Sequence, residues 1–135
     1  MRKIKFRGKV VNHDPMTNPE NGWVEGYYLQ DLDNGVVKHY IFNCPMKWEV
    51  IPETIGQFTG LHDKNDKEIY EGDIVLSKLK RAREYDEILQ ICFDDGEYCG
   101  KDKHGSSTSL SLLEDYHTVE VIGNIHDNPE LLSSL

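Results

Sequence analysis

Residues 50–76 constrain this chain more than any other stretch, because three turn signals and two short apolar runs are packed into them without a break. Pro52, Gly56 and Gly60 bracket Ile55, Gln57 and Phe58, a run too short for a helix and rich in β-compatible side chains. Asp63, Lys64, Asn65 and Asp66 follow, residues whose side chains bond their own backbone and tolerate left-handed dihedrals, so the chain is expected to reverse before Ile69 and Tyr70. Glu71, Gly72 and Asp73 then make a second sharp bend, where glycine lets the backbone turn tightly, and Ile74, Val75 and Leu76 open a new strand. Strands of this length joined by turns of this kind specify a β-rich protein. Asp63 and Asn65 also begin like a calcium loop, but Glu68 and Ile74 stand where such a loop needs Gly and a bidentate Glu, so they are read as turn formers.

Two further turns set registers. Asn34-Gly35 joins residues 23–29 to residues 36–42 as a two-residue turn of the primed type, which places Asp33 opposite Val36, Asp31 opposite Lys38 and Tyr28 opposite Ile41. Asp95-Gly96 does the same further on, setting Asp94 against Glu97, Phe93 against Tyr98 and Cys92 against Cys99. A hydrogen-bonded cross-strand pair has its α-carbons about 5.5 Å apart, within disulfide range. The compartment argues the other way. With no apolar run of membrane-spanning length and no apolar leader, the chain is expected in the cytoplasm, where Cys92 and Cys99 remain neighbouring free thiols. Residues 44–48 are expected to be a loop leading into Glu49, Val50 and Ile51, with Cys44, before Pro45, a small buried thiol in it. With no Cys-x-x-Cys pair and no fourth ligand, Cys92, Cys99 and His104 are not read as a metal site.

Two basic segments are candidates for binding. At the start, Lys3, Lys5, Arg7 and Lys9 alternate with Ile4, Phe6, Gly8 and Val10, the pattern of a half-buried strand. Its cationic face is either a phosphate-binding stripe or, as the favoured reading, an edge strand protected from unwanted pairing by charge. Beyond Leu76, Lys78, Lys80, Arg81 and Arg83 form the one dense basic cluster, followed at once by Glu84, Asp86 and Glu87. As a long loop it is the candidate contact with a partner, the favoured reading being a solvated hairpin tip or short helical turn whose charges compensate. Over the whole chain, 15 Lys and Arg against 24 Asp and Glu give a net charge of -9, which opposes non-specific attraction to nucleic acid or an anionic membrane.

After the Asp95-Gly96 hairpin, residues 104–109 read as a loop, residues 110–116 as one or two helical turns, and residues 119–122 as a strand. Asn128 is placed as a helix cap with Pro129 at the first helical position. No catalytic constellation emerges: the six histidines are scattered, and no Gly-rich phosphate loop or cofactor motif is present.

Four segments, in order along the chain, resemble the YopX family of bacteriophage and prophage proteins. They are the opening MRKIKFRG; Gly22-Trp23-Val24-Glu25-Gly26-Tyr27; the central Ile55 to Gly60 with Asp63-Lys64-Asn65 and Lys67 to Val75; and Glu120 to Ile125 with Asn128 to Leu131. The chain departs from the family pattern at Asp66, where Gly is usual, and along residues 78–116. The resemblance implies an SH3-like β-barrel, a tendency to self-associate, and no assigned activity.

The expected architecture is therefore mainly β: a β-rich part over residues 1–68, an SH3-like barrel or roll over residues 69–135, and a short C-terminal helix or turn. The expected function is that of a phage- or prophage-encoded, oligomeric accessory protein that binds a host or phage protein. A nucleic-acid-associated protein using its basic strips, and an acidic DNA mimic, are the alternatives; an enzyme is the least favoured reading, and no cofactor or metal is expected.

Overall fold

The computed structural model describes residues 4–12, 21–79 and 86–133. The chain is mainly β, with two antiparallel sheets, and divides into two compact units, Met1–Phe58 and Thr59–Leu135. The boundary expected after residue 68 falls inside the second of these.

The first unit holds β1 (Phe6–Lys9), β2 (Trp23–Asp33), β3 (Val36–Asn43), β4 (Met46–Glu49), a 3-10 turn at Pro52–Thr54, and the start of β5 (Gly56–His62). Its strands lie in the order β4-β3-β2-β1-β5. The β2–β3 register is the one the Asn34-Gly35 turn demands: Asp33 faces Val36, Asp31 faces Lys38 and Tyr28 faces Ile41. Both turn residues have positive φ, 52° at Asn34 and 80° at Gly35, as a primed turn requires. Val10, Val24, Ile41 and Val50 form the buried core, with Phe6, Tyr28, Trp48 and Ile55 packed against it. Two glycines permit that packing. A Cβ on Gly8 would stand 3.0 Å from the Val50 Cβ, and one on Gly26 would run into the Phe42 carbonyl.

Three expectations need correction in this unit. β1 is not an edge strand, because it pairs with β2 on one side and with β5 on the other, Phe6 lying opposite both Gly26 and Gln57. Residues 46–48 are not loop but part of the strand β4, hydrogen-bonded to β3 from Asn43↔Met46 to Tyr40↔Glu49, so that Cys44 and a cis Pro45 form a tight connection. Cys44 is exposed rather than buried.

The second unit contains the end of β5, then β6 (Glu68–Tyr70), β7 (Asp73–Leu79), β8 (Asp86–Asp94), β9 (Glu97–Lys101), β10 (Ser107–Ser109), α1 (Leu110–Tyr116), β11 (His117–Asn124) and a 3-10 turn at Pro129–Ser133. Five of these strands form a sheet in the order β10-β9-β8-β7-β11. The order is open: among the described residues no ladder joins β10 to β11, so the sheet does not close into a barrel. Its core is Ile69, Val75, Leu89, Ile91, Leu110, Leu113 and Val119, contributed by strands and by α1 alike. The helix forms where residues 110–116 were expected to make a turn or two, and Leu110 and Leu113, three apart on one face, are buried.

The reversal between β5 and β6 is held by one carboxylate. Asp63 Oδ1 accepts the backbone N–H groups of Asn65 (2.8 Å) and Lys67 (2.9 Å), while Oδ2 accepts that of Val121 in β11 at 2.9 Å. Lys64 N donates to the Val119 carbonyl at 2.9 Å, so this turn covers the outer edge of β11. Asp66 takes the left-handed place, with φ 65°, that glycine would fill most easily. Gly72 bends the chain between β6 and β7, and the buried Asp73 closes that bend by accepting the Tyr70 N–H at 2.8 Å.

Two corrections apply here. Residues 107–109 pair with β9 as a short strand, behind a turn in which Asp102 Oδ1 accepts from His104 N and Ser106 N. Asn128 Oδ1 reaches back to Asn124 N (3.3 Å) instead of capping forward, and the segment it leads is 3-10.

Candidate interaction surfaces

The β2–β3 hairpin outruns the core of the first unit. Because side chains alternate across a strand, Tyr28, Gln30 and Leu32 share one face with their partners Ile41, His39 and Val37. Along that face the environment changes stepwise. Ile41 is fully buried. Next, Tyr28 and His39 stack with ring centroids 5.9 Å apart and planes at 7°, and share a hydrogen bond between Oη and Nδ1 of 2.6 Å. Gln30 Nε2 donates to the Tyr28 hydroxyl at 2.8 Å. Beyond this polar layer Leu32 and Val37 face one another, 68% and 51% exposed, and with Gln30 and Asp31 they line a shallow depression of about 340 Å³.

The other face of the hairpin is aromatic and charged. Tyr27 is 69% exposed, and Lys47 in β4 lies over the Tyr40 ring at 4.4 Å. Lys38 pairs with Asp33 at 2.9 Å and approaches Glu49 at 4.0 Å; the Asp33 hydrogen bond and charge raise its pKa above the ordinary lysine value. Lys38 thus prefers the diagonal Asp33 to Asp31 directly across from it.

Among the described residues, the basic residues singled out in the sequence make contacts within their own unit. Lys5 contacts Glu25 at 3.5 Å and lies over the Phe58 ring at 5.5 Å. Arg7 lies over the Trp23 ring at 4.9 Å, and the backbone N–H of Lys9 donates to Thr54 Oγ1 at 2.8 Å. Cations in such contacts are engaged by the protein's own aromatic faces and carboxylates. Lys78, exposed near the end of β7, faces Asp86 across the ladder, with 3.9 Å between their charged atoms. Lys3, Lys80, Arg81 and Arg83 lie outside the described residues.

Cys92 and Cys99 face one another as the Asp95-Gly96 turn requires, with Asp95 at φ 50° and Gly96 at φ 81°. Both are free thiols, 3.9 Å apart at sulfur; Cys99 is buried and Cys92 half-buried. Burial, and then the neighbouring Cys99, push the Cys92 thiol up to about 11. On the same face Asp94 and Lys101 form an ion pair of 3.0 Å that runs diagonally past the two sulfurs. Among the described residues no three His, Cys, Asp or Glu side chains come together as metal ligands would. No helix is long and apolar enough to cross a membrane, again among the described residues.

Sequence reasoning recognised Asp63 as a turn former but missed its reach to β11, because Val121 is distant in sequence and no local signal announces it. The pairing of Leu32 with Val37, by contrast, follows from the Asn34-Gly35 register.

These features define a small, mainly β protein of two antiparallel sheets, its first unit carrying a hairpin with an apolar tip. The chain belongs to the YopX family: the family model, described as YopX protein, matches residues 5–133. The crystal structure of protein yopX from Bacillus subtilis is similar over 100% of this chain and 99% of that one, with a TM-score of 0.60 at 17% identity, which establishes a shared fold. A crystal structure of a protein from Enterococcus faecalis aligns over 98% of this chain and 99% of its own, at 25% identity and a TM-score of 0.49. No curated protein matches the chain.

Proposed function

We propose that this chain is a phage- or prophage-encoded accessory protein that assembles as an oligomer and works by binding a protein partner, without catalysing a reaction. The observation that carries the reading is the tip of the β2–β3 hairpin, where Leu32 and Val37 form an exposed apolar pair beside Gln30 and Asp31. Apolar side chains at the end of a rigid two-stranded arm, rimmed by polar groups, suit a protein surface better than a phosphate backbone. The basic segment with Lys78, Lys80, Arg81 and Arg83 is a second contact candidate. In keeping with the family resemblance, the sheet of the second unit is read as an SH3-like roll, and the protein is assigned to the cytoplasm.

The net charge of -9 and the engagement of Lys5 and Arg7 with Glu25, Phe58 and Trp23 weigh against nucleic acid. The pairing of Lys38 with Asp33 sets mixed charge on the hairpin, which weighs against a DNA mimic.

The test is affinity capture of the tagged protein from lysogenic or infected cells, with and without nuclease, in parallel with the Leu32→Ser/Val37→Ser variant. Light scattering reads the native mass of both. The reading requires a nuclease-resistant protein partner that the variant loses. Partners that vanish on nuclease treatment would replace it with the nucleic-acid reading, and a monomeric native mass would remove the oligomer.

A further inference from the structure

The cysteine pair of the β8–β9 hairpin is absorbed by nothing proposed so far. Asp94 and Glu97 flank a two-residue loop and therefore form a hydrogen-bonded pair, and the alternation of an antiparallel ladder makes Cys92 and Cys99 the next such pair. α-Carbons in that position lie about 5.5 Å apart, within the range a disulfide spans. The sulfurs already approach to 3.9 Å, against the ~2.05 Å of a bond, and the two residues sit in a ladder that holds them opposite one another.

Access and charge differ between the two thiols. Cys92 is half-buried and reachable by a small reagent, whereas Cys99 is buried behind it. Burial and the neighbouring Cys99 disfavour a thiolate at Cys92, and the Lys101 ammonium, itself paired with Asp94, opposes them only in part. The pair is therefore slow to react at neutral pH and faster as pH rises.

We propose that Cys92 and Cys99 are a reversible oxidation site that small-molecule disulfides close into a cross-strand disulfide and small thiols reopen. The Cys92 thiolate attacks one sulfur of the reagent; a protein–reagent disulfide forms, the reagent's own S–S bond breaks, and one thiolate leaves. Cys99 then loses its proton to solvent and attacks Cys92 Sγ, forming the cross-strand bond and expelling the second reagent thiolate. Two protein thiols are oxidised, one small disulfide is reduced to two thiols, and the two protons pass to these. Disulfides open to solvent are among the readily reduced ones, and half-buried Cys92 leaves this one within reach of a small thiol.

The experiment uses the full chain carrying Cys44→Ser, which removes the exposed thiol, treated with oxidised glutathione at pH 8.5. After acid quenching, denaturation and iodoacetamide, intact mass is measured beside a reduced control. The expected species takes up no label, weighs two hydrogens less than the reduced protein, runs as a single chain, and regains two labels after excess reduced glutathione. A companion Cys44→Ser/Cys99→Ser chain is expected to hold one persistent glutathione adduct on Cys92. Two labels retained, a stable adduct on the chain that keeps both cysteines, or a cross-link between chains would each overturn the proposal. Failure to reopen in reduced glutathione would overturn its reversibility.

Discussion

Asp63 accepts the backbone N–H of Val121 at 2.9 Å, bonding the turn between β5 and β6 to a strand 58 residues further along the chain. Burial would raise the pKa of this carboxyl, but the N–H donors of Val121, Lys67 and Asn65 outweigh burial and hold it below the ordinary carboxylate range. A pKa lower in the folded than in the unfolded state stabilises the fold above the unfolded value, about 3.9. That contribution disappears as pH falls through the folded value. In urea unfolding, Asp63→Ala should cost about 2–3 kcal/mol at pH 7, since backbone donors lose a charged acceptor. Asp63→Asn should lose the stability that wild type sheds on acidification below pH ~4. A variant as acid-sensitive as wild type would assign that loss to another carboxylate.

Gly26 has no room for a side chain. Its Cβ would meet the Phe42 carbonyl carbon at 3.0 Å and the Ile41 Cγ2 at 3.3 Å, so Gly26→Ala must displace β3 from β2. The expected loss is about 3 kcal/mol, at the upper end of overpacking effects. Thermal unfolding reads it, and an unchanged midpoint would show that the two strands have slack at this point.

Arg7 lies over Trp23 at 4.9 Å inside the sheet, not at its edge. Arg7→Gln should therefore lower stability by about 1 kcal/mol through lost stacking. It should leave any residual binding to duplex DNA at low salt unaltered. A weaker salt dependence of binding in the variant would mean that Arg7 neutralises phosphate after all.

Asp66 occupies a left-handed conformation, φ 65°, in an exposed turn. Asp66→Gly removes the clash between Cβ and backbone there and should raise the midpoint of denaturant unfolding, by about 0.5–1 kcal/mol in free energy. Asp66→Val, with a branched Cβ in the same conformation, should lower it. Equal effects of the two substitutions would show that the turn relaxes to another form.

What was legible in the sequence was local. Asn34-Gly35 and Asp95-Gly96 each set a register through dihedrals that few residues adopt, and from those registers follow the Tyr28–Ile41 and Cys92–Cys99 pairings. Pairings between distant segments left no such mark. The alternation of cations through Arg7 says that one face is polar, but not that β5 will arrive on the far side of β1. Strand β4 leaves no local mark because Cys44-Pro45 resembles no common two-residue hairpin signal, and β10 leaves none because Ser107 and Thr108 lie in a polar segment without alternation. The apolar hairpin tip was present in the register, yet its exposure depends on how far the core of Val10, Val24, Ile41 and Val50 extends beneath it.

The graded burial along the β2–β3 hairpin divides its backbone into two kinetic regimes. Leu32 and Val37 form a non-hydrogen-bonded pair, and Leu32 N donates to Asp31 Oδ1 at 2.8 Å, so the ladder bonds on either side of them lie under exposed side chains and should open briefly from the Asn34-Gly35 end. The stacked Tyr28 and His39 should stall that opening, and Ile41, buried past them, should exchange only when the first unit unfolds as a whole. The hairpin is thus a rigid stem with a breathing tip, and a partner that grips the tip would be read as a slowing of hydrogen exchange confined to residues 30–39.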